Sequence, residues 1–269
     1  MANSINTNVG AMVALQNLNA TNRELTVAQN RVNTGLAVAN AKDNGAIFAV
    51  ASNMRADMGA LTAVKNSIQR GQAVIDIALA AGETISKAIE EQKALAVAIQ
   101  SSAAGSASET AYLADFNALG TEITAALAGA TFDGTNIYAA GSATNNLVVQ
   151  TSIAGTYTVH GVAAAATTVA TATGTVVRAG ATVAAVDAAG AAFNARLATL
   201  GSHSKSLERQ LTFTSKMQDA LESGVGNLVD ADLAKESARL TALQTKQQLG
   251  VQALGIANQS SSILLSLFR

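Results

Sequence analysis

The sequence predicts a mainly α-helical protein made of long helices of the coiled-coil kind, with a small β-hairpin region in its middle. Three observations carry that reading. Apolar residues recur at alternating intervals of three and four along most of the chain. Alanine makes up about a fifth of the 269 residues while aromatics make up only 3%. Between residues 132 and 182 the composition turns to Thr, Val, Ala and Gly with almost no charge. A chain rich in Ala and poor in aromatics buries little surface per residue, which suits long helices in close approach better than a bulky core.

The 3–4 spacing is clearest in Leu61, Val64, Ile68, Gly71, Ile75, Ala78, Gly82, Ile85, Ile89, Gln92, Ala96 and Ile99. Seven of these twelve are Leu, Ile or Val, so the line reads as one continuous face of a helix longer than globular proteins usually contain. A second line runs Val183, Val186, Gly190, Phe193, Leu197, Leu200, Ser204, Leu207, Leu211, Thr214, Gln218, Leu221, Val225, Leu228. A shorter helix is expected from Glu109 to Leu127, with Leu113, Phe116, Ile123 and Leu127 facing inward.

Both ends repeat the pattern in weaker form. Leu15, Leu18, Asn22, Leu25, Gln29, Val32 and Leu36 fall in register near the start. Leu233, Glu236, Leu240, Leu243, Gln247, Gly250, Leu254, Ala257, Ser261, Leu264 and Phe268 do so near the end. Polar residues interrupt both lines. Such a seam is marginal in an isolated molecule and gains value when neighbouring subunits bury it, while its polar members fix register and partner number. In the middle, FDGTNIY, NNLVVQTS and GTYTVHGV hold short β-prone runs broken by Asp-Gly, Asn-Asn and Gly, which read as one or two hairpins. The stretch AAAATTVATATGTVV is low-complexity and reads as either a loop or an edge strand.

Composition excludes several functions. A formal net charge of −1 offers no electrostatic grip on nucleic acid or anionic lipid. No apolar run approaches the length of a transmembrane helix, and no apolar stretch of Sec-signal type follows the start, whose first basic residue is Arg23. Pro and Cys are both absent. Avoidance of Pro by helices explains most of this. A sharper reading is a chain that folds repeatedly outside the cell without waiting on prolyl isomerisation or cross-linking wrongly.

The two ends and the breaks between helices resemble the bacterial flagellins, and in particular the short alphaproteobacterial ones. The start, MANSINTNVGAMVALQNLNATNRELTVAQNRVNTGLAVANAKDNGA, has the family's long helix ending in a glycine-bearing loop, here Gly35, followed by Ala41-Lys42-Asp43. The finish, LVDADLAKESARLTALQTKQQLGVQALGIANQSSSILLSLFR, has its Leu-rich tail and terminal Arg. The FDGTNIY turn takes the place of the family's Phe-Asn-Gly turn. The likeness covers about residues 1–130 and 183–269 in order, and the short centre implies that the outer variable domains of large flagellins are missing.

The resemblance implies a helical hairpin. Residues 1–44 with 226–269 would pair as an inner coiled-coil domain lining the filament channel. Residues 45–131 with 183–225 would form a long-helix bundle, and 132–182 a surface hairpin segment. It implies a non-enzymatic homopolymer, exported unfolded on an uncleaved N-terminal signal, held by an export chaperone, and assembled extracellularly beneath a cap beyond the hook-associated proteins. The packing residues implied are Leu15, Leu18, Leu25, Val32, Leu240, Leu243, Leu254, Leu264 and Phe268. Two rivals remain: a hook–filament junction protein, and a secreted membrane-active or adhesive coiled coil, which should carry a basic or aromatic face that is missing here.

Other residues weigh towards structure. His160 and His203 are the only histidines and lack metal-ligand spacing, and no cofactor motif is present. Asp230 and Asp232 read as helix-capping residues. Glu90 and Glu91 read as a solvated helix face. Ser142, Thr144, Ser152, Thr167 and Thr171 are candidate O-glycosylation sites by the resemblance, and equally β-prone filler. Flagellins that activate the animal Toll-like receptor carry Arg-x-Arg-Glu-Leu-Ala-Val. The matching stretch here runs from Glu91 to Val97, so Glu91 replaces the first Arg, while Leu95 and Glu122 keep the receptor-facing pattern.

Overall fold

The computed structural model describes residues 8–138, 146–161 and 176–266, with side chains through residue 259. In chain order its elements are α1 (Val9–Thr34), α2 (Gly45–Ser101), α3 (Ala107–Gly129), β1 (Leu147–Gln150), β2 (Thr156–Val159), α4 (Val183–Val229) and α5 (Leu233–Ser266). They fall into two compact units. One combines the chain ends, up to Ala56 and from Ala220; the other is Asp57–Asp219.

Each helix starts where a side chain satisfies free backbone N–H groups. Asn8 accepts from Ala11 N at 3.0 Å, and Asn44 accepts from Ala46 N and Ile47 N. Asp232 accepts from Ala234 N and Lys235 N at the head of α5. Ser106 and Glu109 form a capping box on α3: the Ser106 hydroxyl accepts from Glu109 N, and the Glu109 carboxylate accepts from Gly105 N. The helix therefore runs two residues beyond Glu109–Leu127 at each end. With no proline to break it, α2 continues for 57 residues, about 85 Å.

In the Asp57–Asp219 unit, α2 and α4 run antiparallel. Lys65 Nζ meets Gln218 Oε1 at one end and Lys93 pairs with Asp187 at 2.6 Å at the other. The apolar line of α2 is filled along its length: Leu61, Val64, Ile68, Ile75, Ala78, Ile85, Ala96 and Ile99 are all buried. From α4, Val186, Phe193, Leu200, Leu207 and Thr214 are buried, and α3 adds Phe116, Ile123 and Leu127. Gln92 is the polar member of the line. Its Nε2 donates to Phe116 O at 3.2 Å, while its buried Oε1 has no partner among the described residues.

The β-prone middle yields a single hairpin among the described residues. β1 and β2 pair antiparallel with Leu147 opposite Val159 and Gln150 opposite Thr156. Val149 and Val159 enter the helical core. The hairpin is fastened by Gln150 N donating to Ser67 Oγ and Gln210 Nε2 donating to Thr151 O. The Asp133-Gly134 turn, bridged by Phe132 and Thr135, holds both central residues at positive φ, the geometry that Asp-Gly favours. It delivers Tyr138 to the core, where its hydroxyl donates to Ala78 O at 2.5 Å and burial pushes its pKa up to about 12. The 176–181 segment is strapped to α2 and α3. Arg178 donates to Ser102 O and Gln100 O and pairs with Glu109, and Gln100 donates to Arg178 O and Ala181 O.

Gly71 marks a tight contact between the hairpin and α2, because a β-carbon there would collide with the Val149 side chain. Gly71→Val should overfill this site and lower stability by about 1–3 kcal/mol. Gly59 lies exposed on the same helix with open space around it, so Gly59→Ala should raise stability by about 0.5–1 kcal/mol. Thermal unfolding of the monomer checks both. Equal effects of the two substitutions would contradict the packing described.

Candidate assembly surface

The ends of the chain meet as an antiparallel pair, α1 against α5. Asn8 Nδ2 donates to Ala257 O at 2.7 Å and Gln247 Nε2 donates to Asn22 Oδ1 at 2.8 Å. Arg31 Nη1 donates to Glu236 Oε1 at 3.0 Å, and Arg239 lies 3.7 Å from Glu24. The pair is tied again where the chain enters and leaves it. Gly35 ends α1 in the left-handed region, and its N–H donates to Arg31 O. Beyond it, Ala37 N and Val38 N donate to Val229 O, and Ala231 N donates to Gly35 O. Asp230 sits in this bridge opposite Leu36, so of the two aspartates only Asp232 caps the helix. Asp43 folds the following loop, accepting from Ala39 N and Asn40 N.

The buried line of this pair is thin and partly polar. Thr21 and Ala28 are its buried members on α1; Glu236 and Leu243 are buried on α5. Glu236 keeps only 9% exposure, and its Oε2 is buried with no partner among the described residues. A buried ion pair with an unsatisfied oxygen adds little net stability, because desolvation offsets most of the attraction.

Of the packing residues expected from sequence, Leu243 lies on the buried line. Leu18, Leu25, Val32, Leu240 and Leu254 are half-buried, and Leu15 is 48% exposed. Leu264 is helical, with its side chain outside the described residues, as is the whole of Phe268. The structure adds exposed side chains that the 3–4 register passes over: Val9, Met12, Val13 and Val27 on α1, and Leu249, Val251 and Ile256 on α5. Val13 and Leu249 line an open groove of about 450 Å³ together with Ala14, Leu18, Gly250 and Ala253. The missed signal was the wider apolar arc, since α1 is apolar at Val9, Met12 and Val13 as well as in the expected line.

The remaining candidates lie apart from this pair. Glu91 is exposed on α2, Leu95 is half-buried and Glu122 is exposed on α3. Ser152 is half-buried in the hairpin loop; Ser142, Thr144, Thr167 and Thr171 lie outside the described residues. His203 Nδ1 lies 2.6 Å from the Tyr157 hydroxyl, with the rings edge to face. Burial lowers the His203 pKa, and the nearby His160 lowers it further. Among the described residues no three His, Cys, Asp or Glu side chains cluster to hold a metal, and no helix is long and apolar enough to cross a membrane.

Comparison with known proteins accounts for this organisation. The N-terminal helical region of bacterial flagellin matches residues 5–144, and the C-terminal helical region matches residues 183–268. Flagellin FljK of Caulobacter vibrioides is 50% identical over 271 residues, and flagellin FljN of the same organism is 52% identical over 273. A flagellin of Brucella melitensis is 37% identical over 283 residues. Each alignment covers 99% of both chains. With both terminal regions matched and similarity running from end to end, the chain belongs to the bacterial flagellin family.

Proposed function

We propose that this flagellin is a structural subunit that polymerises into the flagellar filament, and that the outward faces of α1 and α5 are what neighbouring subunits bury. One observation carries the reading. Two paired helices hold a narrow, partly polar line between them, yet display Val9, Met12, Val13, Leu15, Leu249, Val251 and Ile256 to solvent. Apolar surface on that scale marks an interaction site. Burying one Leu or Ile contributes on the order of 1.5–3 kcal/mol, repeated in every subunit. The functional division we infer is residues 1–44 with 226–269 as filament core, 45–131 with 183–225 as the surrounding bundle, and 132–182 at the surface. End-to-end similarity to flagellins favours the filament over a hook–filament junction role.

The same reading makes the protein non-enzymatic and extracellular, exported without a cleaved signal peptide. Its partners are then an export chaperone, the filament cap and hook-associated proteins. Ser152 and the other candidate hydroxyls are the positions proposed for any glycan. Glu91 belongs to this reading too. It stands exposed where receptor-activating flagellins carry Arg, and an ionised carboxylate only accepts hydrogen bonds where a guanidinium donates up to five.

Replacing Leu249 and Ile256 by Asp should leave the monomer helical, with its main unfolding transition in place. The critical concentration for seeded growth should rise by at least about a hundredfold, given the burial forfeited. Electron microscopy and sedimentation read the outcome, and filaments at wild-type concentrations would contradict the assignment. For the receptor, wild-type monomer should activate a receptor-dependent reporter weakly. Glu91→Arg should raise that activation by about tenfold or more. Strong activation by the wild type would overturn the receptor reading and leave the filament reading intact.

A further inference from the structure

Within the Asp57–Asp219 unit, α2 and α4 each carry one stretch where charge of a single sign is concentrated. Along α2, Asp76, Glu83 and Glu90 recur every seven residues and are exposed, so they share one face of the helix. Residues 76–91 carry four acids, with Glu91, against the single Lys87. Along α4, Lys205, Arg209 and Lys216 follow at intervals of four and seven and are likewise exposed on one face. Residues 196–216 carry four cations, with Arg196, against the single Glu208. Helix α2 is therefore net −3 and α4 net +3 over these stretches, in a chain whose overall charge is −1.

Among the described residues none of the six stripe residues forms an ion pair, although the same unit pairs Arg70 with Asp133, Lys93 with Asp187 and Arg178 with Glu109. Each stripe is joined by one large exposed apolar side chain: Val97, seven residues beyond Glu90, and Phe213, between Arg209 and Lys216. Inside one molecule the stripes are offset along the helix axis, and only Asp76 comes near the level of Lys205. Gly82 abuts Leu197 and Gly71 approaches Leu207 across the antiparallel pair, so Glu83 lies level with the start of the basic stretch. The centre of the basic stripe is then displaced by about 20 Å along the helix axis.

We propose that the acidic face of α2 docks on the basic face of α4 of a second copy of this chain, shifted by that axial offset. This inference rests on the filament reading and names a contact that fixes how adjacent subunits align. Opposite charge patterns across an interface steer association and suppress wrong registers, and the flanking Val97 and Phe213 supply the apolar part of the contact. Like faces meeting would repel, which excludes a symmetric arrangement of two α2 faces.

The test uses the full-length chain in three forms. One carries Glu83→Lys with Glu90→Lys; one carries Arg209→Glu with Lys216→Glu; one carries all four. Circular dichroism should show each folded as the wild type, since the positions are exposed. Each two-residue variant should raise the critical concentration for seeded growth by about tenfold or more. The four-residue variant restores opposite charge and should return to near the wild-type value. Unchanged growth in both two-residue variants overturns the docking while leaving the filament reading standing, and so does a four-residue variant no better than its parents. A wild-type chain that never grows on seeds overturns the filament reading and this inference with it.

Discussion

The apolar seam between α2 and α4 is filled within the chain, and the rest of the Asp57–Asp219 unit is arranged around that fact. From Leu61 to Ile99 nearly every third or fourth side chain of α2 is buried, against Phe193, Leu200 and Leu207 of α4 and Ile123 and Leu127 of α3. Glycine at 71 lets Val149 of the hairpin insert against the helix, and glycine at 82 does the same for Leu197. Because two helices of this length already satisfy one another, their outer faces are free to carry charge. Asp76, Glu83 and Glu90 on one and Lys205, Arg209 and Lys216 on the other stand exposed on those faces.

The terminal pair follows the opposite rule. Its internal line contains Thr21, Ala28, Leu243 and an Arg31–Glu236 ion pair with one orphaned oxygen, supplemented by the Asn22–Gln247 hydrogen bond. Polar contacts of this kind define which residues lie opposite one another but contribute little net free energy. The large side chains sit on the outside. A pair built this way is specified in register and weak alone, and in the proposed assembly it gains its stability from further copies covering Val13, Leu249 and Ile256.

Much of this was legible in the sequence where a period carries the information. The α2 line from Leu61 to Ile99 could be read from spacing alone, and so could the inward set of α3, because a 3–4 repeat over many turns admits one face. The start of α3 lies two residues before Glu109 because the Ser106–Glu109 capping box, and not the apolar pattern, sets it. The terminal helices were harder. Leu15 and Leu25 attract attention by size, yet close approach selects Thr21 and Ala28 for the buried line, since small residues let two helices draw together. The strap of Arg178, Gln100 and Asn117 joins segments more than fifty residues apart, and no local pattern records it. The hairpin strands were visible as β-prone runs. Their seating on Ser67 and Gln210 was not, because those partners lie on helices distant in sequence.

The claim that joins these parts is that one helical pair is complete in the monomer and the other is completed by polymerisation. Amide hydrogen exchange on monomer and on filament tests it directly. In the monomer, amides of α2 and α4 between residues 61 and 99 and between 186 and 214 should be strongly protected, while those of α1 and α5 should exchange fast. In the filament α1 and α5 should become as protected as the core. Terminal helices that exchange in the monomer as slowly as the α2–α4 core, or that gain no protection on assembly, would contradict the account.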